Sequence, residues 1–373
     1  MKKRIGVCLL AATLFFQCQK PSDEGTDIVR VSFVMPEEEG EQGSTTIRIF
    51  ECNEKAWRQE TDSVRVERGK ESIWDKEIGK GTNTTYIATL GGGAVIIIGE
   101  KGEIVCDFNE GRASGTPLND EKNEYRQRLS ELRRASANAY DSLARIEWTS
   151  ADDRQEALEK VVGRAREESL NLNKRILKEH PGDALAEYIF WQGVIPDATI
   201  DGDAFKKLLA MTDERVAKFP VVKEHLKKVT NAEETQVGMQ YKDIEAETAN
   251  GETEALSHLV DSKGYSIVHI FDPRDNNTPI DLGILTELRS QHSKDISTVV
   301  SYCEGIDSRV TRRIAEKFQL GWPIFNDYER RAENTFGVFK LPAVIIIDKE
   351  GKIAARDIDV SAARHWIEVE TKK

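Results

Sequence analysis

Apolar and polar residues alternate in short runs along the first part of the chain. The runs cover residues 28–34, 46–50, 64–67, 85–90, 94–98 and 103–108. Turn-forming residues separate them, among them the three glycines at 91–93. Many short alternating strands at this spacing are typical of an antiparallel sandwich or an open barrel. The pattern therefore predicts a β-rich domain over residues 28–118.

The hydrophobic period changes to three or four residues after residue 119, as expected of helices. Residues 121–146 and 152–179 are charged and carry apolar residues at helical spacing, and the second run ends at a His-Pro-Gly sequence, which is a helix stop signal. Further helices are predicted at residues 184–194, 203–218 and 221–229. We predict a helical segment over residues 119–231 whose charged faces meet solvent.

Strand and helix patterns alternate in residues 236–373. Strands are predicted at residues 241–247, 265–271, 296–303, 322–325, 343–348 and 352–357. Helices are predicted at residues 253–260, 279–292, 307–318, 330–336 and 361–369. This order is typical of an α/β domain with a mixed sheet that is covered on both faces. The predicted fold class is therefore multidomain, with an N-terminal antiparallel β domain, a helical middle segment and a C-terminal α/β domain.

The N-terminus has the pattern of an export signal. Basic residues 2–4 precede an apolar run at residues 5–16, which is too short to cross a bilayer. Cys18 follows this run and predicts a bacterial lipoprotein, in which that cysteine carries the lipid, although the usual small residues before it are absent. The other reading is a thiol that is lost with a signal peptide over residues 1–18. Residues 19–27 are polar and are predicted to be a tether. The expected location is the periplasm or outer membrane of a Gram-negative bacterium, with a lipid anchor as the membrane contact.

Composition limits the partners and the cysteine chemistry. The net charge of −12 argues against nucleic-acid binding, which needs clustered Lys and Arg. An exported chain meets an oxidising compartment, and the odd number of cysteines after the signal leaves at least one without a partner in the chain. Cys52 and Cys106 either form a disulfide or, as we favour, pack as small buried hydrophobes.

The most specific stretch is residues 336–353, which read Phe-Gly-Val-Phe-Lys-Leu-Pro-Ala-Val-Ile-Ile-Ile-Asp-Lys-Glu-Gly-Lys-Ile. It resembles the Val-x-x-x-Pro-Thr-x-x-Leu-Ile-Asp-x-x-Gly signature of thioredoxin-fold proteins, especially exported thiol–disulfide oxidoreductases of the TlpA type and their AhpC-TSA relatives. The resemblance implies a thioredoxin fold over the last third of the chain, with a cis Pro342 after Leu341. In the family this proline faces the active site beside a backbone edge that is open to a substrate peptide. The expected binding residues are Leu341, Pro342, Phe271 and Trp322.

Residues 268–278 align with the family's Val-Leu-x-Phe-Trp-Ala-x-Trp-Cys-x-x-Cys segment but contain no cysteine. By this resemblance Asp275 stands at the nucleophilic cysteine and Thr278 at the resolving one. A carboxylate and a hydroxyl cannot perform disulfide exchange, which needs an attacking thiolate. The sequence from Thr278 to Asp281 instead predicts a capping box with Thr278 as the N-cap. A metal site on the Asp and Asn oxygens is the weaker alternative, because calcium-loop spacing is absent, so no metal and no cofactor are expected.

Cys303 is the only cysteine in the predicted C-terminal domain. It ends the strand at residues 296–303, and the carboxyl ends of parallel strands border the ligand crevice. Cys303 is therefore either a single reactive thiol near Asp275 and Pro342 or, as we favour, inert packing. His269 lies in the middle of a predicted strand and is predicted to be a core or edge histidine rather than a base.

The Gly-Thr-Pro-Leu-Asn sequence at residues 115–119 resembles the junction that closes a β-rich domain of unknown function in exported thioredoxin-like lipoproteins. We therefore favour a redox-inactive, thioredoxin-fold module that binds a peptide or protein in the cell envelope. One alternative is a TlpA-type thiol–disulfide oxidoreductase that uses Cys303 as a single thiol. The other is a binding protein whose β-rich domain is the working part.

Overall fold

The computed structural model describes residues 25–35, 44–54, 56–67, 72–146, 148, 150–197, 200–305 and 308–372. The predicted signal peptide, Cys18 and most of the predicted tether lie outside these residues. No helix within the described part of the chain is long and apolar enough to cross a membrane. The chain groups into two compact units, Met1–Cys52 with Arg58–Gln127 and Asn53–Trp57 with Arg128–Lys373. The domain boundaries drawn from the sequence stay predictions.

Strands dominate the first part of the chain. The described strands are β1 (Thr26–Val34), β2 (Ser44–Asn53), β3 (Ala56–Glu67), β4 (Ile73–Gly79), β5 (Thr84–Leu90), β6 (Gly93–Gly99), β7 (Gly102–Asp107) and β8 (Arg112–Ser114). They form two four-stranded sheets, in the orders β4-β1-β7-β8 and β3-β2-β5-β6. Inward side chains from both sheets, such as Val31 and Ile49, belong to one buried core, so the two sheets enclose it as a sandwich.

The prediction of a purely antiparallel domain is wrong at one pair of strands. β1 and β7 run parallel, with Val29 opposite Gly102 and Val34 opposite Asp107. Alternation along a strand indicates which face is buried, but it carries no information about the direction of a distant partner. The structure also adds β4 and β8, which the pattern did not predict.

The Gly-Thr-Pro-Leu-Asn motif closes the sheet that contains β6. The Asn119 side chain accepts a hydrogen bond from the Ile98 N–H (3.0 Å) and donates one to the Ile98 carbonyl (2.7 Å). The buried Lys122 ammonium donates to the Ile96 carbonyl. These side chains supply the hydrogen bonds that a neighbouring strand would otherwise give to an edge. Gly115 has φ +98°, and a Cβ there would lie 2.9 Å from the Glu103 carbonyl oxygen, so the motif needs glycine at that position.

Helices follow, and they are broken more often than predicted. They are α1 (Pro117–Ala144), α2 (Ala151–Glu179), α3 (Ala184–Ile189), α4 (Gly202–Leu209), α5 (Glu214–Lys218) and α6 (Pro220–Glu234), with a π turn at Phe190–Val194. The single helix predicted at residues 203–218 is wrong, because a turn separates α4 from α5. The Asp213 N–H in that turn donates to the Pro181 carbonyl (2.7 Å), so a tertiary hydrogen bond replaces a helical one.

The last third of the chain has a thioredoxin-like fold. Its elements are β9 (Glu245–Thr248), β10 (Thr253–Ala255), β11 (Tyr265–Phe271), α7 (Thr278–Gln291), β12 (Ile296–Glu304), α8 (Ser308–Phe318), β13 (Ile324–Asp327), α9 (Arg331–Phe336), β14 (Ala343–Ile347), β15 (Ile353–Ile358) and α10 (Val360–Glu370). The sheet order is β10-β9-β13-β12-β11-β14-β15. β11, β12 and β13 run parallel, β14 runs antiparallel to β11, and β15 runs antiparallel to β14.

Both faces of this sheet are buried. Val268 and Ile270 of β11 join a core that includes Phe336 of α9. Ile267 faces the other side and packs with Leu285 of α7 and neighbouring residues of α10. The parallel strands end, and β14 begins, at one common edge, which is where the resemblance places the active site.

The helix predicted at residues 253–260 is wrong. Residues Thr253 to Ala255 form β10, which pairs antiparallel with β9, and a short 3₁₀ turn follows at Leu256–His258. The segment has no strong period of its own, and antiparallel pairing with β9 decides its conformation.

Buried Arg356 of β15 joins α6 to the thioredoxin-like part of the same unit. Its guanidinium donates to the carbonyls of Ala232 (3.1 Å), Thr235 (2.8 Å) and Phe336 (2.8 Å). These carbonyls lie at the C-terminal ends of α6 and α9, where backbone carbonyls have no donor within the helix. A single side chain therefore fixes two helix ends against the sheet.

Candidate functional site

The loop between β11 and α7 is a tight, internally bonded turn. The Asp272 carboxylate accepts hydrogen bonds from the Arg274 N–H (2.8 Å) and from its guanidinium (2.7 Å). The hydrogen bond from the Arg274 side chain is the main cause that lowers the pKa of Asp272. The backbone N–H of Asp275 donates to the Asp272 carbonyl (3.1 Å). Asp272 therefore holds the start of the loop.

Asp275 and Thr278, the positions that match the family's cysteines, both serve this turn. The Asp275 carboxylate accepts from the Asn277 N–H (2.9 Å), and the Asp275 carbonyl accepts from the Thr278 N–H (3.1 Å). The buried Thr278 hydroxyl donates to the Asp272 carbonyl (3.0 Å). Their polar groups are thus engaged within the loop, as in an Asx turn that leads into a helix.

The predicted capping box is wrong. Asn277 is the N-cap of α7, its side chain makes no capping hydrogen bond, and Thr278 is the first helical residue. The Thr278 hydroxyl is turned back to the loop, so it cannot accept from the first helical turn. The Asn277 carbonyl accepts from the Ile280 N–H (2.9 Å) and the Asp281 N–H (3.0 Å). Burial, followed by the charges of nearby carboxylates, raises the pKa of Asp281.

The Leu341–Pro342 peptide bond is cis, as the resemblance implies. Both side chains are half-buried, and Leu341 packs against the core on the α9 face. Pro342 directly precedes β14, whose Ala343 lies opposite Ile270 of β11. Pro342 and the Asp275 loop therefore lie at the same edge of the sheet. Phe339, which the sequence reasoning missed, is 53% exposed just before this edge.

Phe271 and Trp322 are core residues, which corrects their prediction as binding residues. Phe271 is fully buried and clusters with Cys303 and Ile324. Trp322 is 7% exposed, packs in the core beneath α7 and α10, and its Nε1 donates to the Ser301 hydroxyl (2.9 Å). Neither ring is available to a partner at the Pro342 edge.

Cys303 is buried at the end of β12 and lies opposite Phe271 of β11. Burial raises the pKa of its thiol to about 12, although a hydrogen bond with Thr311 lowers it in part. A thiol with this pKa is protonated at neutral pH and does not act as a nucleophile. Cys52 and Cys106 are also buried, and no disulfide joins them.

His269 is fully buried in the middle of β11, and its ring stacks on Phe271 with a centroid distance of 4.9 Å. Neither ring nitrogen has a hydrogen-bond partner among the described residues. Burial lowers its pKa to about 3, so the ring is neutral at physiological pH. The prediction of a core histidine rather than an accessible base agrees with this geometry.

Charged residues that the sequence reasoning did not select line the same sheet edge. Glu304, directly after Cys303, accepts from Arg330 (2.6 Å) and lies 3.7 Å from Arg274. Asp327 ends β13 and accepts the backbone N–H groups of Arg331 and Ala332, while burial raises its pKa to about 6. The signal that could have identified them was their position, because Glu304 directly follows the predicted strand at residues 296–303 and Asp327 lies two residues after the one at 322–325. Both carboxylates already accept hydrogen bonds from this chain. They therefore form structural ion pairs and helix caps at this edge.

Three comparisons place these observations beside known proteins. No family model matches the chain, and no curated protein matches it. Among solved structures, the thioredoxin domain of a thiol-disulfide oxidoreductase from Bacteroides vulgatus has 15% identity and a TM-score of 0.32, over 36% of this chain and 96% of that one. A thiol-disulfide oxidoreductase from Bacteroides fragilis has 18% identity and a TM-score of 0.32, over 35% of this chain and 97% of that one.

A secreted disulfide oxidoreductase from Mycobacterium tuberculosis, described as homologous to E. coli DsbE, has 14% identity and a TM-score of 0.30. It covers 34% of this chain, and the match spans 95% of that chain. Likenesses of this size carry no argument about activity. The thioredoxin-like assignment of the last third rests on the strand order and directions described above.

Proposed function

We propose that this chain is a redox-inactive thioredoxin-fold protein that binds a peptide or protein partner in the cell envelope. The Asp275–Thr278 turn takes the place of the family's dithiol, and the cis Pro342 edge remains at its side. Export and lipidation at Cys18 belong to the same proposal and rest on the signal-like N-terminus.

The burial of Cys303 and its raised thiol pKa are the observations that support this proposal. Cys303 is the only cysteine after residue 236, it is fully buried, and its pKa is raised to about 12. Disulfide exchange needs a thiolate that can reach a partner sulfur, and this thiol meets neither condition. The competing oxidoreductase reading would require Phe271 and Thr311 to move away from Cys303 before any reaction.

Insulin reduction with dithiothreitol tests the proposal. Wild type and Cys303→Ser are both expected to match the uncatalysed rate. The double variant Asp275→Cys/Thr278→Cys, which restores a dithiol at the aligned positions, is the positive control. Turnover by wild type that disappears in Cys303→Ser would establish the oxidoreductase reading instead.

Peptide binding at the Pro342 edge is tested separately with Leu341→Asp, because Leu341 is only half-buried and precedes the cis bond. Partners captured by the wild-type chain should be lost from this variant. Capture by an isolated fragment of residues 26–118 would instead favour the β-rich domain as the working part.

A further inference from the structure

An open groove of about 360 Å³ runs between the Asp275 loop and α8. Its floor is apolar and consists of Pro279, Val310, Ile314 and Phe318. Val310 is 37% exposed, although its neighbours on α8 are mostly charged.

A second open cavity of about 540 Å³ continues along α7 and shares Phe318 with the first. Gly283 lines it, and no described atom beyond its own stretch of helix lies within 4 Å of the place where its Cβ would be. The two cavities share Phe318, and together they are termed here the α7–α8 groove. Leu341 and Pro342 line neither cavity, so the groove is separate from the cis-proline edge.

The rim of the α7–α8 groove beside the Asp275 loop is positively charged. Arg274, Arg313 and Lys317 line it together with the Asp275 carboxylate. The Arg274 charge is already paired with Asp272, which leaves Arg313 and Lys317 as the positive charges of the rim. Arg313 and Lys317 lie one turn apart on α8, and both are exposed. Within the described chain neither makes an ion pair, and the Lys317 ammonium lies 5.1 Å from the centre of the Phe318 ring. This local positive charge stands out on a chain whose net charge is −12.

We propose that the α7–α8 groove binds an acidic peptide segment of another protein. This names the partner chemistry of the binding module and rests on the function proposed above. An apolar side chain of the peptide lies on the Val310–Ile314 floor, and its flanking carboxylates meet Arg313 and Lys317. Complementary charge sets the selectivity, because the same floor with a neutral rim would not discriminate among apolar peptides.

Fluorescence anisotropy with the whole chain tests this. The probe is a fluorescein-labelled Glu-Glu-Leu-Phe-Glu-Glu peptide, and the comparison peptides replace every Glu by Gln or by Lys. The acidic peptide should bind more tightly than the Gln peptide, and the Lys peptide should not bind. Arg313→Glu/Lys317→Glu should weaken acidic-peptide binding by about tenfold or more, since two ion pairs are lost and repulsion is added.

Lys294→Glu/Lys349→Glu is the matched control, because both lysines are exposed, lie outside the groove and give the same change in net charge. An equal loss of binding in both double variants would refute the proposal. It would show that the overall charge of the protein, rather than the two groove residues, controls binding. Equal affinity for the acidic and Gln peptides would refute the preference for an acidic partner. It would not refute the proposal that the protein binds peptides. Failure of all three peptides to bind would overturn the groove proposal, while peptide binding at the Pro342 edge is decided separately by the Leu341→Asp capture experiment. Unchanged circular dichroism of each variant confirms that it is folded.

Discussion

Replacing His269 by leucine is expected to stabilise the thioredoxin-like domain. The wild-type ring is fully buried, and both its nitrogens lack partners within the described structure. An unsatisfied buried donor or acceptor costs roughly 1–3 kcal/mol, whereas a swap to an apolar side chain of similar size costs less than about 1.5 kcal/mol. Two such nitrogens cost about 2–6 kcal/mol, so the expected net gain at neutral pH is at least about 0.5 kcal/mol in the free energy of unfolding.

The stability gained by His269→Leu over wild type is larger at acid pH. Burial holds the folded-state pKa of His269 at about 3, below the ordinary value of 6.5. The unfolded chain therefore binds the extra proton first, so stability is fully present above pH 6.5 and is lost as the pH falls towards 3. At pH 4 this difference amounts to about 3 kcal/mol, because one unit of pKa is worth about 1.4 kcal/mol. The leucine variant lacks this loss.

Hydrogen–deuterium exchange of the β11 peptide measures both effects in the intact chain. Between pH 7 and pH 4, after correction for intrinsic exchange, wild type should lose about a hundredfold more protection than His269→Leu. His365→Leu, at an exposed position on α10, is the matched control and should behave as wild type. Equal acid-induced losses in wild type and His269→Leu would refute the reasoning, and so would a destabilised leucine variant at pH 7.

Three further substitutions probe the packing of the same unit. Each is measured by exchange protection, of α7 for Gly283, of α9 for Gly337, and of the α6 end that Arg356 of β15 contacts. Gly283→Ala should stabilise α7 by about 0.5–1 kcal/mol, because the position is helical and open, and unchanged or lower protection would contradict this. Gly337→Ala should destabilise α9 by at least about 2 kcal/mol, because φ is +62° and the new Cβ would lie 2.3 Å from the Ala232 nitrogen; a neutral effect would show that α6 can move aside. Arg356→Ala should cost about 3–5 kcal/mol, since the carbonyls of Ala232 and Thr235 lose a buried charged donor. Arg356→Lys should recover only part of this loss, and full recovery would mean that charge rather than the guanidinium fork matters.

The sequence was most informative where a pattern is strong and local. The buried run of β11 and the apolar run of β14 were predicted within a residue or two, because a strand that is covered on both faces needs an unbroken series of large apolar side chains. The cis bond before Pro342 followed from a resemblance carried by a few fixed residues. Elements without such signals, such as β10 and the turn between α4 and α5, were predicted wrongly.

The candidate site depended more on tertiary structure. Phe271 and Trp322 were expected to be binding residues, but sheet packing buries both. Thr278 fitted a capping pattern, yet its hydroxyl bonds back to the loop and leaves the N-cap to Asn277. A one-residue difference in where a helix begins is below what a sequence pattern resolves.

The sequence by itself determined that the loop between β11 and α7 contains no dithiol. It contains no cysteine between residues 265 and 291, and no folding of the chain can place a dithiol in that loop. Only the tertiary structure decided the state of the groups that remain, because burial, hydrogen-bond partners and pKa depend on residues that are distant in the chain. It enclosed Cys303 in the core, left the His269 nitrogens without a hydrogen-bond partner among the described residues, and gathered Arg313, Lys317 and the Asp275 loop around one open groove.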